Sequence, residues 1–163
     1  KQYQSAIENL KNGASIAYVT DCGTPGISDP GNKLVMEARK NDIIVSPIPG
    51  PSAVTALASV SGFPEKNLVF GGFLSKKEGK RKNELEKLKA VQGVIIIYES
   101  PHRIKKTMKA IYEVFPNTEV LLGREITKMF EEFIAGNTDS LCSNLDSIKE
   151  KGEFAIAILN SSK

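Results

Sequence analysis

Glu99, His102 and Glu125 are the residues of this chain whose types and positions suit proton removal. The first two follow the apolar run Val94-Ile95-Ile96-Ile97-Tyr98, and the third follows Val120-Leu121-Leu122. Each is therefore expected at the carboxyl end of a strand. A base placed against a weakly acidic hydroxyl supplies about 10²–10⁴-fold in rate. His102 is the single histidine, in a Ser100-Pro101-His102-Arg103 turn where a ring serves equally well as a helix-start cap. Glu125 can equally pair with Arg103 or Lys128. On residue types alone the choice of base stays open. Arg103 and Arg124 suit clamps on phosphate or carboxylate, because a guanidinium gives two parallel hydrogen bonds and stays charged.

A second set of residues suits ligand binding. Thr20-Asp21-Cys22-Gly23-Thr24-Pro25-Gly26-Ile27-Ser28-Asp29-Pro30-Gly31 lies between a β-prone run, Ser15 to Val19, and an amphipathic one, Leu34 to Ala38. That order predicts strand, loop, helix, with Asp29 as the helix cap and Pro30 at the first helical position. Gly23, Gly26 and Gly31 let the backbone approach a ligand without a Cβ in the way. The spacing fits neither a P-loop nor a dinucleotide fingerprint, and no lysine stands ready for a phosphate. Asp21 and Asp29 would repel a pyrophosphate. Carboxylates beside a tight loop suit the hydroxyls, amine and sulfonium of S-adenosylmethionine, although two acids also cap turns.

The grammar repeats further on. Ile43-Ile44-Val45 predicts a short strand, Ser46-Pro47-Ile48-Pro49-Gly50-Pro51-Ser52-Ala53 a stiff loop, and Val54, Leu57, Ala58 and Val60 a helix closed by Ser61-Gly62. Ser52 is placed to cap that helix, and its N–H is placed to meet a ligand carboxylate.

Five segments occur here in one order: Asp21 to Gly31, Pro47 to Ala53, Tyr98-Glu99-Ser100-Pro101-His102-Arg103, Gly123-Arg124-Glu125-Ile126-Thr127-Lys128 and Lys151-Gly152-Glu153-Phe154. In this the chain resembles the tetrapyrrole (corrin/porphyrin) methylase superfamily. The third and fourth segments resemble its RNA-modifying branch, which acts on small-subunit ribosomal RNA. The resemblance covers essentially the whole chain. It implies an α/β fold of two small α/β domains with the cofactor cleft between them, here 1–65 and 66–163.

It also implies S-adenosylmethionine as cofactor, held by Asp21, Gly23, Thr24, Pro25, Gly26, Asp29, Ser52 and Ala53. The reaction implied is methylation of a cytidine 2′-oxygen in small-subunit ribosomal RNA or the assembled subunit, by a cytoplasmic homodimer. Glu99, Ser100, His102, Arg103, Arg124, Glu125 and Lys128 would face the RNA. Family members begin with a further strand, turn and helix that are missing here. The chain starts at Lys1 inside a helical pattern of Gln4, Ile7, Glu8 and Leu10 ending at Asn12-Gly13, so the first domain is expected to be incomplete. Two alternatives stand beside this reading: methylation of a tetrapyrrole precursor, and a non-catalytic RNA-binding fragment.

Composition sets bounds. The 163 residues carry a formal charge of +3, unevenly spread. Lys76, Lys77, Lys80, Arg81 and Lys82 crowd one stretch, and Arg103, Lys105, Lys106 and Lys109 another. Lys76, Lys77, Arg81 and Lys82 are candidates for RNA phosphates, as are Arg103, Arg124 and Lys128, although a charge run is more often a solvated face. No apolar run reaches the roughly 18 residues that would span a bilayer. Cys22 and Cys142 read as lone thiols, Cys22 as a small filler in the loop, and no His/Cys/carboxylate set has metal-ligand spacing.

Elsewhere strands are expected at 68–73, 94–98, from 120 and at 154–159. Helices are expected at 80–88, 104–112 and around Leu141, Leu145 and Ile148. Residues 130–134 carry too little pattern to assign firmly, though a strand after a reversal suits them.

Overall fold

The computed structural model describes residues 2–21 and 23–161, and the chain divides into two compact units, 1–52 and 53–163. In the first unit α1 (Gln2–Lys11) packs on α2 (Asn32–Lys40), burying Ile7 and Ala38. Gly13, at φ +89°, ends α1 as its Asn12-Gly13 signal predicts.

Two expectations fail in this unit. Residues 15–19 and 43–45 form no strand, and Val19 and Ile44 are 80% and 90% exposed. A β-prone run becomes a strand only where a neighbour completes its ladder, and none of the described residues does so. Asp29 does not cap α2 either. Gly31 is the cap residue, at φ +138° and without a side-chain cap bond. Its backbone lies against the Tyr18 ring, so closely that an added Cβ would sit 3.1 Å from it. The helix can begin only after that contact. The reading of Cys22 lies outside the described residues.

The second unit is built on a five-stranded sheet in the order β1-β2-β5-β3-β4. Its strands are β1 (Leu68–Phe73), β2 (Gly93–Glu99), β3 (Glu119–Arg124), β4 (Glu132–Asn137) and β5 (Phe154–Asn160). β1 and β2 are parallel, and β5 runs antiparallel between β2 and β3, so β1, β2 and β3 share one direction. β4 returns antiparallel along β3, which makes the reversal near 130 a true hairpin.

The central strands read as unbroken apolar runs because both faces are covered. Ile95, Ile97, Leu122, Ile156 and Ile158 join one core with α4 (Glu78–Lys89), α5 (Ile104–Val114) and α6 (Thr138–Ser143). Val94, Ile96, Leu121, Ala155 and Ala157 join the other with α3 (Ala53–Ser61). Small residues on β5 and Gly123 on β3 let α3 sit close, and a Cβ on Gly123 would lie 3.0 Å from Leu57.

α3, which falls within the expected first domain, thus packs with the second unit. The helix expected around Leu141, Leu145 and Ile148 is α6 followed by a separate 3₁₀ turn at Leu145–Ser147. The Asn137 side chain caps α6, accepting from Ser140 N–H at 2.8 Å.

Leu57 is fully buried under the sheet. Replacing it with Ala should destabilise the second unit by about 2–5 kcal/mol in urea unfolding, since the rigid sheet cannot collapse into the void.

Candidate functional site

The sheet register gathers the sequence candidates at one edge. Phe73 on β1 pairs with Tyr98, Glu99 on β2 with Phe154, and Phe154 with Arg124 on β3, which pairs in turn with Glu132. The segments that carry Lys76 and Lys77, His102 and Arg103, and Glu125 to Lys128 therefore all leave the sheet on the side where β1, β2 and β3 end. This is the edge at which ligands bind in open α/β sheets.

Glu99 is buried, and both of its oxygens are occupied. Oε1 accepts from Ser100 N–H at 2.6 Å and from Arg103 Nε at 2.7 Å, while Oε2 accepts from the Thr107 hydroxyl at 2.6 Å. Arg103 passes the tie onward, donating through Nη1 to the Leu74 carbonyl at 3.1 Å. A carboxylate so engaged positions the start of α5 rather than awaiting a proton.

Glu125 is engaged as well. Its oxygen accepts from Glu153 N–H at 2.8 Å and from Lys128 Nζ at 3.2 Å, while its own N–H donates to the Glu153 carbonyl at 2.9 Å. The Glu153 amide, and then Lys128, hold its carboxyl below the usual range. The residue adopts φ +50°, and Gly152 opposite leaves the room it needs, because a Cβ there would lie 2.6 Å from Glu125 Cγ. Arg124 is buried and bonded to Glu132 at 2.7 Å and to the Lys151 carbonyl at 3.3 Å. Lys128 also reaches Glu153 at 2.9 Å.

His102 is different. It is exposed, and no hydrogen bond to its ring occurs among the described residues. Lys76 and Lys77 are likewise exposed and in no ion pair. Lys82 is exposed but pairs with Glu113 on α5 at 3.0 Å. Arg81 is the surprise of the basic run: it is 5% exposed, and its Nε has no partner. The spacing of Arg81, Leu85 and Leu88 (i, i+4, i+7) was a signal of an inward face, masked by the lysines around it. Sequence reasoning also passed over Thr107, Glu132 and Glu153 as partners.

In the first unit the Thr24 hydroxyl donates to the Pro51 carbonyl at 3.4 Å, joining the two glycine- and proline-rich loops. Gly23 takes φ +72° and Gly26 φ +83°, and a Cβ on Gly26 would lie 2.6 Å from the Asn32 side chain. Asp21 is exposed and Asp29 partly so, and neither forms an ion pair among the described residues. An open backbone with unpaired carboxylates fits a ligand carrying hydroxyl and amine donors. Ser52 directly precedes α3, and Ala53 is that helix's first residue.

A family model of tetrapyrrole (corrin/porphyrin) methylases matches residues 1–142. The chain belongs to this family. Two relatives, each named ribosomal RNA small subunit methyltransferase I, come from Leptospira biflexa and Thermotoga maritima. The chain is 46% identical to the first, over 99% of its own length and 66% of the relative's. It is 38% identical to the second, over 97% of its own length and 71% of the relative's. It therefore spans only about two thirds of the length of these methylases.

Among solved structures, the methyltransferase CobJ matches with a TM-score of 0.67 at 18% identity, covering 98% of this chain and 70% of CobJ. A uroporphyrin-III C-methyltransferase from Thermus thermophilus, complexed with S-adenosylhomocysteine, matches with a TM-score of 0.61 at 13% identity, over 95% and 70% of the two chains. At such identities the likeness is one of fold, and it is the methylase fold.

The lowered carboxyl of Glu125 has a measurable consequence. A depressed folded value stabilises the protein above the ordinary carboxylate range and loses that effect as pH falls through the depressed value. Glu125→Gln should therefore be less stable than the parent at neutral pH, and the difference should shrink as the pH falls below the ordinary carboxylate range in paired urea titrations.

Proposed function

We propose that the protein uses S-adenosylmethionine to methylate the 2′-oxygen of a cytidine in small-subunit ribosomal RNA. One observation carries the reading: the convergence of Lys76, Lys77 and His102, all exposed, on the edge where β1, β2 and β3 end. The relatives' shared name supports it, and the distant likeness to tetrapyrrole enzymes speaks only for the fold. The two loops of the first unit would hold the cofactor through Asp21, Gly23, Thr24, Pro25, Gly26, Asp29 and Ser52. S-adenosylmethionine held there would supply a methyl group made electrophilic by its positively charged sulfur, which keeps the C–S electron pair and leaves as the thioether when the methyl passes to the ribose oxygen.

His102 is the base in this reading. Glu99 and Glu125 already accept hydrogen bonds from within the fold, whereas the exposed imidazole offers a free nitrogen to the 2′-hydroxyl proton. Arg103 fixes the turn that carries His102 by bonding Glu99 and the Leu74 carbonyl. Lys76 and Lys77 would meet RNA phosphates, which makes binding salt-dependent. Arg103, Arg124 and Lys128 already hold carboxylates, so their part on the RNA side is to keep the edge in shape. No helix among the described residues is long and apolar enough to cross a membrane. A cytoplasmic homodimer acting on small-subunit ribosomal RNA, free or in the assembled subunit, completes the proposal.

His102→Ala and His102→Asn should each slow single-turnover methyl transfer by about 10²–10⁴-fold, with cofactor affinity unchanged. Wild-type rates in both variants would end His102's role as base. For the cofactor loops, Gly26→Val, which strains the loop at φ +83° and sets a Cβ against Asn32, should abolish S-adenosylmethionine binding in calorimetry while the second unit keeps its parental unfolding transition. Unchanged affinity would take this loop out of the site.

A further inference from the structure

Arg81 is the one side chain among the described residues with a buried nitrogen lacking any partner. The residue is 5% exposed, and no carboxylate among the described residues pairs with it. A guanidinium keeps its charge at any physiological pH, so burial without a counter-ion is costly unless an anion arrives to meet it. Its nearest acids in sequence do other work or stand exposed. Glu84 accepts from Ser75 N–H at 2.7 Å, and Glu78 lies in the solvated first turn of α4.

The position of Arg81 says which way it reaches. It is the fourth residue of α4, and helical side chains tilt back over the turn that precedes them. That turn is open. The cap residue Lys77 makes no side-chain cap bond, and a Cβ on Gly79 would meet nothing within 4 Å. The first turn of this twelve-residue helix thus leaves its N–H groups uncapped, the Arg81 side chain lies within one turn of them on the inward side, and Lys76, Lys77 and Lys80 are exposed in the same stretch.

We infer that Arg81 and the first turn of α4 form a discrete site for one phosphodiester of the RNA backbone. The surrounding lysines attract the strand at long range. Arg81, with its donors in a planar fork, binds one phosphate in a fixed place. The inference deepens the RNA reading given above and assigns a register-setting contact to a residue buried before RNA arrives.

The test uses the whole chain with inorganic phosphate and a generic single-stranded oligoribonucleotide, and no methyl transfer is measured. Failure of the methyltransferase reading therefore leaves its result untouched. In wild type, phosphate should saturably shift the amide resonances of Glu78, Gly79 and Lys80, where chloride at equal ionic strength does not. Arg81→Met, which keeps the volume and removes the charge, should lose those shifts. It should also weaken oligonucleotide binding about tenfold and lower its salt slope by about one.

Arg81→Lys should keep the salt slope but lose most of the affinity, and it decides the matter should the Met variant not fold. Absence of phosphate shifts in wild type would overturn the site. Phosphate shifts lost in Arg81→Met with oligonucleotide affinity unchanged would show a free-phosphate site and overturn the phosphodiester assignment.

Discussion

The buried carboxylate of Glu99 is the constraint on which the edge of the sheet depends. An ionised group taken out of water costs several kcal/mol after relaxation, on the order of what a small domain has to spare. Here it is tolerated because donors from Ser100, Arg103 and Thr107 converge on its two oxygens. Those donors belong to the turn and first helical turn that follow β2. Arg103 then reaches the Leu74 carbonyl beyond β1. One charge thereby sets the exit of two parallel strands and the entry of α5, and the turn carrying His102 has no other anchor of this strength.

The same device recurs across the sheet with the signs exchanged. Arg124 ends β3 buried, and its guanidinium is held by Glu132 on the neighbouring strand and by the Lys151 carbonyl. Glu125 then locks onto the turn before β5 through Glu153. This arrangement needs β5 to run antiparallel between β2 and β3, because only then does its preceding turn lie beside the ends of both. Glu99, Arg124 and Glu125, the charges that fix the ends of β2 and β3, are all paired. Of the three carboxylate and imidazole candidates, two accept hydrogen bonds from within the fold and the exposed ring of His102 does not.

Much of the second unit was legible because its strands are covered on both faces. Runs such as Val94 to Tyr98 and Phe154 to Leu159 cannot be placed anywhere but inside. The edge strand β4 was nearly illegible, since Phe133 and Ala135 face outward and its identity depends on register with β3. The first unit misled for the opposite reason: β-prone runs predict strands only where a partner strand exists. Site residues could be read as types, but not as pairs. Glu99 and Arg103 stand four apart across a turn, and Arg124 meets Glu132 across a hairpin, so each looked as available for chemistry as His102 did.

Two buried charges in one unit invite comparison. Glu99 and Arg81 are exposed to 2% and 5%, so each is withdrawn from water to a similar degree. Glu99 has its hydrogen-bonding capacity met from within the fold. Arg81 has not, although it sits on the helix face that carries the buried Leu85. If the fold alone were served, a neutral side chain of equal volume at position 81 would be at least as stable, because burying an ion pairs well only with a counter-charge. A guanidinium held in this place is therefore explained by what it meets after folding, and its burial gives that encounter a fixed geometry. Lys76, Lys77 and Lys80 of the same run, exposed to solvent, supply attraction without position.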